Sequence, residues 1–467
     1  MSGRPTIVWF RRDLRLSDNP ALTVAAKKGR PVIPVYLAEW ERDDLWAPGE
    51  AARWWLGRSL PRLAENLARW GTSLRVVGGE PVSALTELAL ATGAREVLWN
   101  RLYEPHSRDL DRRVEASLRD AGVASRDLAG SLLFDPEGHL SRAGRPFVQF
   151  GAFWRSCQSL PGPAEPGPGP ARVFDAPPGD DVQVFGGAID GFPASAAWTP
   201  RVGEPADPWE PGEAGARTRL ERFLEQALAA YEESRDFPGI EGVSRLSPHL
   251  HFGEISPQQI WYAVRSVGRF GRQVAGADGR AAFVRQLGWR EFAHYLLYHF
   301  PATPAEPFRA EFAAFPWADD PDGLAAWQRG TTGYPLVDAG MRQLLAEGWM
   351  HNRVRMVVAS FLTKDLMIPW QQGAAWFWDR LVDADLANNT LGWQWTAGSG
   401  PDAAAYFRIY NPTLQAQRFD RENEYVRRWS GPARPGLAPG ADELAPIVDH
   451  AAARLRALAA FRGLRGR

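Results

Sequence analysis

The 467-residue sequence is poor in cysteine, in net charge and in long apolar runs. Its one cysteine, Cys157, excludes an intrachain disulfide framework and is typical of a reducing cytoplasm, so we expect a cytoplasmic protein. The formal net charge is −1, so a nucleic-acid site would have to be a local basic patch. No apolar run approaches transmembrane length and no signal-peptide hydrophobic segment is present, so we expect no membrane association.

Tryptophan is abundant, with 21 residues. A buried indole needs a partner for its N–H, so a surplus suggests stacking or electron-transfer roles, with large cores as the alternative. The 23% charged and 45% hydrophobic fractions are those of a globular protein, and the length predicts two domains.

The N-terminal part alternates predicted strands with predicted helices, which indicates an α/β domain with a doubly wound parallel sheet, Rossmann-like in class. The predicted strands are Thr6–Phe10, Pro31–Leu37, Ser73–Val77 and Glu96–Trp99, and the predicted helices lie near 51–70, 81–92 and 107–121. Asn19-Pro20 is typical of a helix start. No Gly-x-Gly-x-x-Gly follows the first strand, so the sheet lacks a dinucleotide fingerprint.

Glycine and proline crowd residues 161–170 and recur up to Gly212, which predicts a long linker without regular helix or strand. We therefore expect an α/β domain over 1–130, a linker over 131–215 and an all-α domain over 216–467. Helical periodicity in the last part predicts a series of helices. They are Thr218–Arg235, Pro257–Ser266, Ala281–His299, Leu324–Gln328, Pro335–Glu347, Asn352–Asp365, Ala374–Leu381 and a terminal helix over Pro446–Arg462.

The densest polar stretch is Asp383–Trp395, which contains two carboxylates, two asparagines and two tryptophans. Asp383 and Asp385 diverge in a helix, so a loop or helix start is expected for them, where they can cap amides or meet a polar ligand. Trp393 and Trp395 can present flat faces to a planar group. The alternative is a capped helix with two core tryptophans.

Two further segments of the helical part carry candidate ligand contacts. Glu241–Leu250 offers serine hydroxyls and backbone amides ahead of Pro248, either as a phosphate cradle or as an ordinary serine-capped helix. Gln286 and Trp289, three residues apart, share a helix face and can meet a flat polar ligand beside Arg290.

Together these segments resemble the cryptochrome/photolyase family, most closely the class I photolyases of cyclobutane pyrimidine dimers. The resemblance runs from Ile7-Val-Trp-Phe-Arg-Arg-Asp-Leu-Arg-Leu16 to Phe407-Arg-Ile-Tyr-Asn-Pro412. Its specific blocks are Glu241-Gly-Val-Ser-Arg-Leu-Ser247, Thr332-Gly-Tyr-Pro335, Gly348-Trp-Met-His-Asn-Arg353 and Asp383–Trp395.

The resemblance implies that FAD binds in the helical domain. The matching contacts are Tyr231, Ser244, Arg245, Leu246, Ser247, Arg290, Asn352, Arg355, Asp383, Asp385 and Asn389. Serine and arginine suit a pyrophosphate, and carboxylates suit ribose hydroxyls and flavin N–H groups. Asn389 matches the asparagine beside the redox nitrogen of the flavin. Val243 departs from the usual threonine.

The same resemblance implies a DNA-lesion site at the mouth of the FAD pocket, into which the pyrimidine dimer is flipped. Its matching residues are Arg235, Gln286, Trp289, Arg353, Met356 and Trp395. Gln286 departs from the glutamate usual in class I and is typical of six-four photolyases and animal cryptochromes. Those relatives replace the block His351–Met356, so the dimer is retained as the expected substrate.

Three tryptophans match the family's electron-transfer chain to the flavin: Trp393 beside it, Trp370 in the middle and Trp317 at the surface. Without the resemblance, three core tryptophans would be the expected interpretation. Trp376 and Trp378 lie nearby in sequence and offer a branch.

The activity implied by the resemblance is light-driven DNA repair. Reduced FAD absorbs blue light and donates an electron to the dimer, the cyclobutane bonds split and the electron returns.

A second, antenna chromophore would sit in the N-terminal domain. The segment Glu104-Pro-His-Ser107 lacks the Asn-Glu pair of some folate-binding relatives, so the antenna could be folate, deazaflavin or another flavin, or there could be none. DNA with dimers is the expected partner, and the chain is expected to be monomeric. The alternatives are a cryptochrome-like receptor and a helical protein without a cofactor.

Overall fold

The computed structural model describes residues 3–38, 46–169, 174–175, 198–200, 209–267, 279–402, 407–430 and 444–465. Five strands form the predicted parallel sheet, in the order β3-β2-β1-β4-β5. They are β1 (Thr6–Phe10), β2 (Pro31–Leu37), β3 (Arg75–Val77), β4 (Glu96–Asn100) and β5 (Ala124–Leu128). The strand order reverses beside β1, which pairs with both β2 and β4, so ligands are expected at the carboxyl ends of these strands.

Four helices cover this sheet: α1 (Pro20–Lys27), α2 (Glu50–Arg69), α3 (Pro81–Ala91) and α4 (Pro105–Asp120). Asn19 caps α1 as expected, because its side chain accepts a hydrogen bond from the backbone N–H of Leu22. Alternate residues of β1 point to opposite faces, so Val8 and Phe10 pack under α1 and α2 while Ile7 and Trp9 pack under α3 and α4. The predicted α/β class is confirmed.

The predicted linker contains more structure than its composition indicates. Helix α5 (Phe150–Ser159) lies within it, and the two-residue strand β6 (Phe174–Asp175) pairs in parallel with the start of β2. Trp198 and Trp209 are buried in the core beneath α2. The expectation of a linker without strand was therefore wrong. Frequent glycine and proline exclude long helices and strands, but they allow a two-residue strand to pair with a sheet and a single tryptophan side chain to pack into a core. Most of the remaining linker lies outside the described residues.

The remainder is helical, as predicted. Its helices are α6 (Glu213–Gln226), α7 (Tyr231–Ser234), α8 (Ser247–His251), α9 (Pro257–Ser266), α10 (Gly279–His299), α11 (Pro321–Arg329), α12 (Pro335–Glu347), α13 (Asn352–Ser360), α14 (Trp370–Arg380), α15 (Leu386–Ala397), α16 (Pro412–Phe419), α17 (Glu424–Ser430) and α18 (His450–Arg465). A 3₁₀-helix covers Ala310–Ala314 and a π-helix covers Phe361–Asp365. In the described part of the chain, no helix is long and apolar enough to cross a membrane.

Two helices predicted to be continuous are interrupted in the structure. The one expected over Thr218–Arg235 is divided, because α6 ends at Gln226 and α7 begins at Tyr231. The break turns the Tyr231 ring into the protein against Phe283 of α10, with ring centroids 5.2 Å apart. The helix expected over Asn352–Asp365 changes to π-helical form at Phe361, a distortion that hydrophobic periodicity does not reveal.

Candidate functional site

The largest cluster of predicted site residues surrounds a cavity of about 1650 Å³ in the helical domain. Helices α7, α8, α10, α13 and α15 contribute its walls. All the residues predicted to contact FAD line it: Tyr231, Ser244, Arg245, Leu246, Ser247, Arg290, Asn352, Arg355, Asp383, Asp385 and Asn389. The fold thus brings together residues that lie up to 158 positions apart in sequence, between Tyr231 and Asn389.

One wall carries an ion pair between Arg355 and Asp383. An Arg355 NH2 donor lies 2.8 Å from Asp383 Oδ2 and 3.1 Å from Oδ1, and Arg355 Nε donates to the Met350 carbonyl at 2.7 Å. These bonds orient the guanidinium towards the carboxylate. The Asp383 side chain is almost fully buried, and Arg355 is its ion-pair partner.

Asp385 caps the helix that lines the opposite wall. Its Oδ1 accepts from the backbone N–H of Asn388 at 2.8 Å and from the Asn388 amide at 2.7 Å, so it begins α15 as expected. Oδ2 faces His294 and His251, at 3.3 and 3.9 Å. Burial alone would raise the pKa of Asp385, but these two imidazoles hold it well below its usual range.

The loop Ser244–Ser247 was predicted to be either a phosphate cradle or a serine cap. The start of α8 has no side-chain cap hydrogen bond; Ser247 Oγ instead accepts from Trp349 Nε1 at 3.2 Å. Arg245 has a φ of 52°, in the left-handed region that a non-glycine residue rarely adopts. Its guanidinium is held between the rings of Trp209 and Trp349 and pairs with Glu347 at 2.5 Å. Strain held in place by such contacts is typical of ligand sites.

The donor and acceptor chemistry of the cavity fits FAD. Arg245 and Arg290 supply cations for a pyrophosphate, and the buried Arg245 Nε has no hydrogen-bond partner among the described residues. Asp383 and Asp385 supply acceptors for N–H and hydroxyl groups. On α15, a Cβ added at Gly392 would meet no atom within 4 Å, so the helix presents an open face to the cavity.

Four of the predicted lesion-site residues also line this cavity: Arg235, Gln286, Trp289 and Met356. Arg235 donates to Gln286 Oε1 at 3.2 Å, while Gln286 Nε2 donates to the Ala282 carbonyl at 3.2 Å. Trp289 is stacked on Phe150 of α5, with ring centroids 3.7 Å apart and planes within 9°. One face of the indole is therefore backed by a rigid ring, a contact that the sequence did not indicate.

The structure does not bring Arg353 and Trp395 into the cavity. Arg353 pairs with Asp236 at 2.7 Å and lies over the Phe419 ring. Trp395 lines a separate hollow of about 370 Å³ with Phe407 and Arg408, and the Arg408 guanidinium lies 5.5 Å from its ring centre. Their predicted DNA contacts stay predictions, on surfaces beside the cavity rather than within it.

The three tryptophans predicted to carry electrons belong to one packed core. Trp393 lines the cavity, Trp370 is buried in the same core, and the partly buried Trp317 packs against it. Trp327, which was not predicted, contacts Trp393 with ring centroids 6.1 Å apart. Trp376 and Trp378 also pack against this core. Proximity is what an electron-transfer chain needs, but the roles stay predictions.

A second cavity of about 930 Å³ lies where the α/β domain meets the helical domain. Arg11 and Arg12, just after β1, and Leu37, at the end of β2, line it from the carboxyl edge of the sheet. The segment Glu104–Ser107 contributes Glu104, His106 and Ser107, and Trp378 of α14 lines the far side. This is the sheet edge at which a parallel α/β fold binds ligands.

Several cavity residues were missed by sequence reasoning. Trp349, Met350 and His251 line the flavin-sized cavity, and Glu291 lies directly behind Arg290. Burial raises the pKa of Glu291 to about 7, although it accepts backbone N–H bonds from residues 133 and 134. Trp349 and Met350 lie inside the family block Gly348–Arg353, which could have identified them as cavity residues. No sequence feature pointed to His251 or Glu291.

Two family models match the chain in agreement with this geometry. The model described as "DNA photolyase" matches residues 6–171, and that described as "FAD binding domain of DNA photolyase" matches residues 283–463. The chain belongs to the DNA photolyase family. Its helical part holds the FAD-binding domain of that family, and FAD is its cofactor.

Relatives agree with this assignment. The chain is 42% identical to a deoxyribodipyrimidine photo-lyase of Agrobacterium fabrum, over 98% of this chain and 97% of that protein. It is 39% identical to Cryptochrome-1 of Arabidopsis thaliana, over 92% of this chain and 63% of that protein. A crystal structure of a bacterial class III photolyase from Agrobacterium tumefaciens matches with a TM-score of 0.89 and 39% identity, covering 100% of this chain and 99% of that one. The predicted closeness to class I within the family stays a prediction.

Proposed function

We propose that this enzyme, a deoxyribodipyrimidine photo-lyase, splits cyclobutane pyrimidine dimers in DNA with blue light. The observation that carries the proposal is the single cavity in which the eleven predicted FAD contacts line the walls and Gln286, Trp289 and Met356 stand beside them. Reduced FAD, when bound, supplies the electron on excitation. The protein's part is to position the flavin and the lesion and to keep water out.

The residues of the cavity divide this work. Asp383, fixed by Arg355, and Asp385, fixed by Asn388, present oriented acceptors for the cofactor. Trp289, backed by Phe150, offers a rigid apolar face to a flipped pyrimidine pair. Arg235 stands next to Gln286 and supplies a cation beside the mouth, where a DNA phosphate would lie.

The direct test is repair of an oligonucleotide that carries one thymine dimer, with chemically reduced protein in the dark and under blue light. We expect restored thymines only in the light. A Trp289→Ala variant should bind the damaged strand more weakly, whereas Trp261→Ala, on the neighbouring helix α9, is the control. Light-independent repair, or equal binding of damaged and undamaged duplex, would contradict the proposal.

Two observations favour other members of the family, and the same assay separates them. Gln286 is the residue that the family resemblance associates with six-four photolyases, so a six-four substrate is included. Relatives named cryptochromes cover 92% of this chain, so a protein with bound FAD that repairs neither lesion would be a blue-light receptor. The monomeric state and the cytoplasmic location stay predictions.

The cavity between the domains is the proposed site of a second chromophore. Its apolar walls include Leu37, Trp46 and Trp378, and its polar groups include Arg12 and Glu104, a combination that suits a flat heteroaromatic ring. Chromophores released from the purified protein by denaturation, identified by mass spectrometry, test this. Leu56→Trp should fill the cavity and remove a second chromophore while FAD stays; release of FAD alone from the unmodified protein would contradict the proposal.

A further inference from the structure

Four titratable side chains from both domains meet between the two cavities. Glu104 precedes α4 of the α/β domain, whereas His251 ends α8, His294 lies on α10 and Asp385 precedes α15. We call these four residues the histidine–carboxylate cluster. One ligand atom each of Glu104, His294 and Asp385 lies within 4.8 Å of the others, and all three residues are buried. A hollow of about 370 Å³ is lined by all four members.

Each carboxylate of the cluster has one oxygen held by the protein and one that faces inward. Glu104 Oε1 pairs with Arg12, while Glu104 Oε2 is buried with no hydrogen-bond partner among the described residues. Asp385 Oδ1 accepts the two bonds from Asn388 that cap α15, while Oδ2 faces the imidazoles. Bonds that orient one oxygen and leave the other directed at a common centre are how proteins prepare carboxylates for a metal ion.

Three of the four imidazole nitrogens of the cluster lack a hydrogen-bond partner among the described residues. Both ring nitrogens of His294 and the Nδ1 of His251 are buried. None of these three atoms has a hydrogen-bond partner in the part of the chain that the structure describes. His294 is 6% exposed, and its Nε2 lies 3.3 Å from Asp385 Oδ2 but outside hydrogen-bond geometry. Buried polar atoms without partners destabilise the folded state, so a group that satisfies them is expected at the centre.

The distances and charges suit a divalent cation. Two ligands at about 2.0–2.1 Å from a tetrahedral zinc ion are about 3.3 Å apart, which is the separation of His294 Nε2 and Asp385 Oδ2. His251 Nδ1, at 3.9 Å from the same oxygen, needs only a small movement. The two carboxylates supply anionic ligands, of which Glu104 also pairs with Arg12. The other two guanidinium groups that line the hollow are held by acceptors outside the cluster, Arg15 by three backbone carbonyls and Arg290 by Glu291.

We propose that Glu104, His251, His294 and Asp385 form a zinc-type metal site that joins the α/β domain to the helical domain beneath the flavin cavity. Mixed nitrogen and oxygen ligands select borderline divalent ions such as Zn²⁺ over Mg²⁺ or Ca²⁺. Because Asp385 also lines the flavin cavity, the ion would fix the carboxylate that faces the cofactor. Because Glu104 lines the interdomain cavity, the same ion would hold the two domains in register.

The test is metal uptake by the full-length, FAD-containing protein. The protein is treated with chelator, exposed to Zn²⁺ against a chromophoric zinc indicator, and its metal content measured after gel filtration. We expect one tightly bound Zn²⁺ per chain, with at least ~10-fold weaker binding in His294→Gln and in Glu104→Gln. His106→Gln, an exposed histidine of the neighbouring α4, is the control and should bind as the unmodified protein does.

A second measurement keeps the test independent of folding of the variants. Anomalous diffraction at the zinc edge from crystals of the unmodified protein should place the ion between Glu104, His294 and Asp385. Absence of uptake, equal uptake by all variants, or an anomalous peak elsewhere would overturn the proposal. In those cases ordered water or an imidazolium–carboxylate ion pair would satisfy the cluster instead.

Discussion

Two regions of the molecule are rich in buried tryptophan, and they use it differently. At the junction of the domains, Trp54, Trp55, Trp198 and Trp209 pack edge to face around α2; we call them the junction tryptophans. Beneath the flavin cavity, Trp327, Trp370 and Trp393 belong to one core, and we call them the cavity tryptophans. The junction tryptophans pack against one another, whereas Trp393 has one side on an open cavity.

The hydrogen bonds of the indoles strengthen this difference. Trp55 donates to Glu254 Oε1 at 2.9 Å, Trp209 to the Glu347 carbonyl at 2.8 Å and Trp198 to the Leu345 carbonyl at 3.2 Å. Each of these bonds ties α2 or the linker to the helical domain. A count of tryptophans therefore does not identify an electron-transfer protein. Whether a ring lies beside a cavity distinguishes a tryptophan that can exchange electrons with a ligand from one that only stabilises the fold.

The largest expected effect is at the junction. Trp55→Ala should lower the free energy of unfolding by about 3–5 kcal/mol, because it removes a fully buried indole and the hydrogen bond that this indole donates to Glu254 Oε1. Urea unfolding followed by circular dichroism measures this, with Trp55→Phe as a milder control. Photoreduction per folded molecule should stay unchanged. A loss below ~1 kcal/mol would mean that the junction is not a stabilising core.

The next effect is on the pH dependence of stability near the cavity. Burial, with the charges of Arg353 and Arg355 adding to it, lowers the pKa of His351 to about 4. The unfolded chain therefore binds a proton that the folded chain rejects, so stability is complete above about pH 6.5 and is lost as the pH falls toward 4. The loss amounts to about 3 kcal/mol at most. Urea unfolding between pH 4 and 7 should show a slope that His351→Gln flattens; an equal slope in both proteins would contradict the assignment.

Trp393, the cavity tryptophan that faces the open cavity, should differ from the junction tryptophans in its effect on kinetics rather than on stability. Trp393→Phe should slow photoreduction of the oxidised flavin by at least ~10-fold, or ~1.4 kcal/mol in barrier, because it removes the ring that lines the cavity. Repair by protein that has already been reduced should stay within about twofold. Trp327→Phe, a neighbour in the same core, is the matched control. Equal loss of photoreduction and repair in Trp393→Phe would defeat the electron-transfer role.

The smallest expected effect concerns the mouth of the cavity. Gln286→Glu should raise dimer repair per absorbed photon by about twofold, or ~0.4 kcal/mol, because a carboxylate oriented by Arg235 accepts a hydrogen bond from a pyrimidine N–H more strongly than a carboxamide does. Repair yield under limiting blue light is the measurement, and FAD content should not change. If the yield does not rise, glutamine is no handicap at this position.

The fold was largely predictable where hydrophobic pattern and element coincide. Thr6–Phe10 and Pro31–Leu37 match the observed strands residue for residue, because a buried parallel strand is a continuous apolar run. Strand β5 was missed because its sequence, Ala-Ser-Arg-Asp-Leu, is polar and lies at the edge of the sheet. The burial of Trp198 and Trp209 was missed because composition describes the average of a segment. It does not show that a single side chain of the segment packs into the core of a domain.

The candidate site was predictable only through the family motifs. Tyr231 and Asn389 share no periodicity or spacing, and only the fold brings them to one cavity. Phe150, which supports Trp289, lies in the stretch between the domains and carried no motif. Glu104 and His294 come from different domains, so their meeting beside Asp385 depends on how the domains dock, a relation that no local pattern encodes.

The buried tryptophans of the linker bear on whether the two domains would stay associated if the chain were cut between them. Trp198 and Trp209 anchor the segment between the domains to α2 on one side and, through their N–H bonds, to α12 on the other. The covalent connection upstream of them is therefore not what keeps the two parts together. Two polypeptides divided before Trp198 would still share these contacts, so the proposed light-driven repair would depend on their association.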